Sequence, residues 1–211
     1  MKNRRKDAKW MAGVAMMAAI VVLLANTPLG MIPLVVTKAT TVHIPVILGA
    51  ILFGPLAGGI LGGVFGICSV IINTFTPALT SFAFSPFMST TGLSGAVKAL
   101  WVAVGCRILI GVAAGWLWKA LSHTRMNNWT ALSIVGFTGS MVNTVTVMGS
   151  ILLLFTQQYA QAKEVALEAV SGLILTTVVV NGIPEAIVAT VLVAVIGKNL
   201  LRFAKPRLQA A

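Results

Sequence analysis

Charge is scarce in this chain, and acid scarcest of all: Asp7, Glu164, Glu168 and Glu185 are its four carboxylate side chains in 211 residues. Charged residues make up 9% of the sequence, against about 25% in soluble proteins, which excludes a water-solvated globule. Cysteine is limited to Cys68 and Cys106, each inside an apolar run and without CxxC spacing, so neither a disulfide nor a metal site is inferred. The two histidines, His43 and His123, have no partner at metal-ligand spacing. No Walker A sequence and no HExxH occurs, which argues against ATP hydrolysis by the chain itself and against zinc-dependent proteolysis. Nothing in the sequence calls for a cofactor.

What is abundant is apolar sequence, 58% of the chain, with a mean hydropathy of +0.98. A backbone in hydrocarbon must satisfy its own hydrogen bonds, so each long apolar run reads as a helix, and about 20 residues are needed to span. The expected fold is an all-α membrane protein, one integral membrane domain over residues 1–211. Its six-transmembrane-helix bundle occupies about 10–25, 43–53, 56–72, 97–118, 129–155 and 169–196. The second helix, stopped by Gly54-Pro55, is too short to cross a ~30 Å core and belongs inside the bundle. The basic N-terminus and the run 11–25 imitate a signal peptide, but no small-x-small cleavage site ends that run, and it is kept as the first helix.

The formal net charge of +11 is concentrated rather than spread. Lys2, Arg4, Arg5, Lys6 and Lys9 precede the first helix, Lys119 and Arg125 lie in one loop, and Lys198, Arg202, Lys205 and Arg207 end the chain. Lys38, Lys98 and Lys163 fall on the opposite side. This is the positive-inside pattern of a multi-pass protein, not a nucleic-acid groove, and it puts both termini in the cytoplasm.

Two features of residues 40–86 organise the rest. Gly54, Gly58, Gly62 and Gly66 recur every four residues, with Gly59 and Gly63 beside them, a stripe that lets another helix approach closely. Beyond Ile71, Asn73, Thr74, Thr76, Thr80, Ser81 and Ser85 alternate with Phe75, Phe82, Phe84 and Phe87 and with Pro77 and Pro86. Such a loop is a candidate lid over a small-molecule site, or else an interfacial loop seated at the headgroups.

Arg107 and Glu185 are the charged residues well inside expected helices, and insertion of each costs at least about 2.5 kcal/mol, which marks them as candidate functional residues. Arg107 lies roughly 12 to 15 Å below the outer face, and its planar guanidinium suits a carboxylate. Asn181 and Glu185 sit one turn apart in NGIPEA, and Pro184 frees the carbonyl of Val180. Arg107 and Glu185 either neutralise each other as a structural pair, or Arg107 receives an anionic ligand while Glu185 and Asn181 bind its neutral part. Asn143 is a further candidate, or interhelical glue. His43, Asn73, Thr80, Phe82 and Phe84 complete the candidate ligand-binding set. Gly92-Leu93-Ser94-Gly95 matches the GxSG of intramembrane serine proteases, but the one histidine downstream, His123, lies in a cytoplasmic loop, and a serine without a base is a weak nucleophile.

HIPVILGAILFGPLAGGILGGVFG, the TSFAFSPF loop, CRILIG around Arg107 and NGIPEAIVA around Glu185 occur in that order. Together they resemble the substrate-binding S component of an energy-coupling factor (ECF) vitamin transporter, and within that family the pantothenate type, which shares the HIPV, SPF and NGIPEA stretches. The resemblance implies a non-enzymatic subunit of a bacterial plasma membrane that captures a vitamin at its outer side. It also implies a transmembrane coupling subunit and two cytoplasmic ATPases as partners, and an AxxxA-type docking surface on the first helix. Ala15 and Ala19 match that surface, with Ala8 and Ala12 as an earlier pair; internal packing is the other use of such residues. Pantothenate, a carboxylate with hydroxyls and an amide, suits Arg107 and a Phe-rich lid. With Tyr159 the single tyrosine and Trp10, Trp116, Trp118 and Trp129 at cytoplasmic helix ends, a flat-ringed vitamin is less favoured, Trp101 near the outer end of the fourth helix being the exception. The alternatives are an S component for another vitamin, such as folate, and a self-sufficient carrier with Arg107 and Glu185 as a proton-coupled pair, against which stands the lack of an internal repeat.

Overall fold

The computed structural model of the chain describes residues 2–33, 38–89 and 92–209. In chain order, α1 spans Lys2–Ala25, a two-stranded antiparallel hairpin pairs β1 (Met31–Pro33) with β2 (Lys38–Thr40), and α2 covers His43–Phe53. Next come α3 (Pro55–Phe75) and a loop with two short 3-10 turns, Ser81–Ala83 and Pro86–Met88. One long helix then runs over Gly92–Ser122, built from α4 (Gly92–Leu100), a π-helical turn (Trp101–Gly105) and α5 (Cys106–Ser122). α6 (Asn128–Leu154) and the short α7 (Thr156–Lys163) lead to a last helix made of α8 (Ala169–Thr177), a second π-turn (Val178–Gly182) and α9 (Ile183–Gln209). Five helices among the described residues are long and apolar enough to cross a membrane, and α2 is a shorter apolar helix among them.

Several expectations shift. The segment 26–42 is not featureless: its hairpin pairs Met31 with Thr40, which satisfies backbone groups that would otherwise stand unpaired between two apolar helices. The polar stretch 157–168 contains α7, which forms because Tyr159 and Ala160 bury against Val170 and Ile174. The fourth expected helix begins at Gly92 rather than at 97, and α1 begins at Lys2 rather than at Trp10. Lysine and arginine are good helix formers, so the basic flank extends the helix.

α2 is apolar all round, and residues 43–51 are buried, so it forms the centre of the bundle. Its last carbonyls lie at the end of a helix without partners of their own; Trp10 Nε1 donates to the carbonyl of Phe53 at 3.0 Å. Gly54, at φ 92°, turns the chain into α3. The core is divided. One cluster joins Val14, Val21, Ile47, Leu61, Ile110, Leu132 and Val193 around α2. A second joins Ala83, Val102, Cys106, Ile151, Phe155, Tyr159 and Val170 beneath the Phe-rich loop.

α3 and α5 meet backbone to backbone. A Cβ at Gly58 would fall on the carbonyl of Gly111, one at Gly62 on the carbonyl of Arg107, and one at Gly115 would lie 2.6 Å from Pro55 Cα. Close approach of this kind yields dispersion contacts that apolar surface alone does not supply in lipid. Gly58→Val is therefore expected to destabilise by about 1–3 kcal/mol or more, as overpacking does. Thermal unfolding in detergent checks this against Gly149→Ala, whose added methyl meets open space and is expected to leave the midpoint in place.

Candidate functional site

Arg107 stands two residues after the first π-turn, is buried, and has no carboxylate paired with it among the described residues. Its Nη1 donates to the carbonyl of Val102 at 2.9 Å and to that of Ala103 at 3.1 Å, both in the π-turn. The rings of Phe65, from α3, and Phe84, from the loop, lie 4.9 and 5.2 Å from the guanidinium carbon, within cation–π range. A guanidinium carries five N–H donors. Two are used; Nε is buried and has no partner, and no hydrogen bond is formed by Nη2 among the described residues. Nε and Nη2 together form the two-donor edge that matches a carboxylate.

A cavity of about 150 Å³ lies beside this group, at the end of the bundle away from the chain termini. Ala25, Gly30, Thr40, Val42, Phe65, Ser69, Ile72, Asn73 and Arg107 line it. A wider depression, about 450 Å³, lies over α7 at Gln157, Gln161 and Glu164 and contains none of the candidate residues.

The loop over this end is fastened to α3. Asn73 Nδ2 donates to the carbonyl of Ser69 at 2.8 Å and Asn73 Oδ1 accepts from Ser81 Oγ at 2.8 Å, while the hydroxyls of Thr74 and Ser85 lie 2.7 Å apart. Ser81, Ala83 and Ser85 are buried. Phe82 meets Phe155 edge to face at 5.8 Å, and Phe84 reaches Arg107. Phe75 and Phe87, by contrast, are exposed. Asn73 thus has its amide engaged by the protein while still bordering the cavity.

Glu185 is not the partner of Arg107. It stands three residues after the second π-turn, accepts a hydrogen bond from Thr40 Oγ1, and has His43 Nδ1 3.4 Å from Oε1. His43 is fully buried, and neither ring nitrogen makes a hydrogen bond. Thr40 also lines the cavity, so Glu185 and His43 join the site through the hairpin. The half-buried side chains of Asn143 on α6 and Asn181 in the second π-turn have no hydrogen-bond partner among the described residues, and neither lines the cavity. Thr80 is half-buried at the head of the first 3-10 turn, away from the cavity lining. The π-turns, Phe65 and Ser69 lie outside the sequence-based set; the place of Phe65 beside Gly66 of the glycine stripe was the one available pointer to it.

Among the described residues no three His, Cys, Asp or Glu side chains gather as a metal site. On α1, Ala8, Ala12, Ala15 and Ala19 are all exposed, while Gly13, Val14, Met17 and Val21 face the bundle.

Residues 9–197 match the family described as ECF transporter, substrate-specific component. The chain belongs to this family. It is also 31% identical over 196 residues, 92% of this chain and 93% of the relative, to the pantothenic acid transporter PanT of Lactococcus lactis subsp. cremoris. Membership in the ECF substrate-specific component family, with its apolar spanning helices, makes it a multi-pass membrane protein and a transporter component.

In this ECF component Thr40 Oγ1 ties the hairpin to Glu185 of α9. A hydrogen bond to a charged group contributes about 1.5–3 kcal/mol. Thr40→Val is expected to raise amide exchange across Lys38–Thr40 by about tenfold or more, with exchange in α3 unchanged, as hydrogen-exchange mass spectrometry checks.

Proposed function

We propose that this chain is the vitamin-binding subunit of an ATP-driven ECF importer and that its vitamin is pantothenate. The observation that carries the reading is the free two-donor edge of Arg107 beside the cavity, a pair of N–H donors without a protein carboxylate to accept from them. The similarity to PanT supports the choice of vitamin. The carboxylate of pantothenate meets Nε and Nη2 of Arg107, with Phe65 and Phe84 excluding water around the pair. Its hydroxyls and amide are bound by the polar groups of Thr40, Ser69, His43 and Glu185, with the side chains of Asn143 and Asn181, unpaired among the described residues, as further partners. Asn73, Phe82 and Thr80 act through the loop they hold.

The bundle has six membrane helices with α2 enclosed, and both termini are cytoplasmic, as the basic flanks indicate. The cavity therefore opens toward the outside, where the vitamin is captured. A transmembrane coupling subunit docks on the exposed alanine face of α1, and two cytoplasmic ATPases supply the energy. A proton-coupled carrier built on an Arg107–Glu185 pair has no comparable support, because Glu185 is engaged by Thr40 and His43.

Calorimetric titration of the purified chain in detergent is expected to give one-to-one binding of pantothenate and none of folate, riboflavin or thiamin. Arg107→Ala, verified as folded, is expected to weaken pantothenate by about 100-fold or more, the loss of two charge-assisted bonds. Unchanged affinity in that variant, or preference for another vitamin, rejects the assignment. Separately, Ala15→Trp with Ala19→Trp is expected to leave pantothenate affinity intact and abolish co-purification with the coupling subunit, since a flat small-residue face is what admits a partner helix.

A further inference from the structure

Carbonyls inside a regular α-helix already accept from the N–H four residues on, and a charged side chain finds few of them well exposed. In the π-turn Trp101–Gly105 the helix widens, and the carbonyls of Val102 and Ala103 take the two bonds from Arg107 Nη1. The widened backbone needs a neighbour that yields room, and α3 supplies it. A Cβ at Gly66 would lie 2.6 Å from Val104 Cα and 2.7 Å from the Ala103 carbonyl oxygen, backbone atoms that cannot swing aside. One turn earlier, a Cβ at Gly62 would lie 2.8 Å from the carbonyl carbon of Arg107 and 2.9 Å from Ile108 Cα. Gly63, beside them, is different: a Cβ there would meet Ile108 side-chain atoms at 3.9 and 4.0 Å, an ordinary contact.

We infer that Gly62 and Gly66 are positioning residues for anion recognition: Gly66 seats the π-turn against α3 and Gly62 seats the backbone of Arg107 and Ile108 that follows it, the two carbonyls of the turn hold Arg107 Nη1, and Nε and Nη2 are left for a ligand beside the cavity. This rests on the carboxylate-binding reading above and adds the part of the molecule that aims the guanidinium. Side-chain packing alone would not need these two glycines in particular, because Phe65 and Phe84 contact the guanidinium from side chains able to move.

The test reads the guanidinium directly and the ligand separately. The full chain in detergent is labelled with guanidino-15N arginine; of its six arginines, the signal lost in Arg107→Lys identifies Arg107. A guanidinium held by two carbonyls does not turn freely, so Arg107 is expected to show resolved Nη1 and Nη2 signals. Gly63→Ala keeps them. Gly66→Ala, checked for folding, is expected to collapse them to an averaged signal and to lower the preference for pantothenate over panthenol, its alcohol analogue, by about tenfold or more. A folded Gly66→Ala that keeps the resolved pair and the preference overturns the inference. Should that variant not fold, Gly62→Ala is read in the same way, and an averaged Arg107 signal in the wild-type chain overturns the inference without any variant. Resolved signals that collapse in Gly66→Ala, in a wild-type chain that binds neither pantothenate nor panthenol, support the positioning role and reject the proposed vitamin instead.

Discussion

A single guanidinium buried in an apolar bundle without a carboxylate partner governs the architecture at this end of the molecule. Such a charge costs at least about 2.5 kcal/mol to insert, and the chain offsets this with neutral groups only: two π-turn carbonyls and two phenyl faces. The offset is incomplete, because Nε has no partner. An anion arriving in the cavity therefore gains more than a surface ion pair would, since it relieves a desolvated charge as well as forming new bonds. A protein carboxylate in the same place would stabilise the empty bundle and remove that driving force. The diversion of Glu185 to Thr40 and His43 keeps the place open.

The division of the core serves the same end. Around α2 the packing is tight, with helix backbones in contact at Gly58 and Gly111. Beneath the loop a second cluster holds Ala83 and Phe82 against α6, α7 and α8. Arg107 lies between them in sequence and in space: Cys106 belongs to the second cluster, Ile110 and Phe65 to the first. Among the apolar residues that line the cavity, Val42 and Phe65 belong to the first cluster, and Ser69, Asn73, Thr40 and Arg107 supply its polar wall. The loop is held at the seam by hydroxyl and amide bonds rather than by apolar burial alone.

Much of the scaffold was legible in the sequence because its signals are local. Gly54-Pro55 ends a helix wherever it occurs, and an apolar run of 11 residues between polar flanks reads as a buried helix. The glycine spacing on α3 announced a close partner, although it could not say that the partner is α5. The membership of the site was partly legible, since a charged residue inside an apolar run is conspicuous. Its pairing was not. His43 and Glu185 are brought together only by the packing of α2 on α9, and nothing at either position distinguishes that outcome from an Arg107–Glu185 pair. Asn73 was picked out by its type and position, and it does border the cavity, but that its amide also bonds Ser69 and Ser81 was decided by the path of the loop. The hairpin and α7 escaped notice because each is short and lies in sequence of mixed polarity.

The π-turns are the feature that sequence reading had least chance of finding, and they explain why the two intramembrane charges point where they do. Each adds a residue to one turn, which rotates everything beyond it by about 100° relative to a continuous α-helix. Trp101–Gly105 has no sequence mark of its own; in Val178–Gly182 the nearby Pro184, which has no N–H to offer, is a weak one. Arg107 and Glu185 both follow within three residues, so the rotation acts on them first. Ile108 and Leu109 after the first turn, and Ile183 and Ile187 after the second, remain on the exposed apolar face, while Arg107, just before the first pair, and Glu185, between the second, are buried. An unbroken helix with the same outer face would present a different set of positions to the cavity. Two helices that each carry an ionisable residue inside and an apolar face outside have met that demand with the same backbone device.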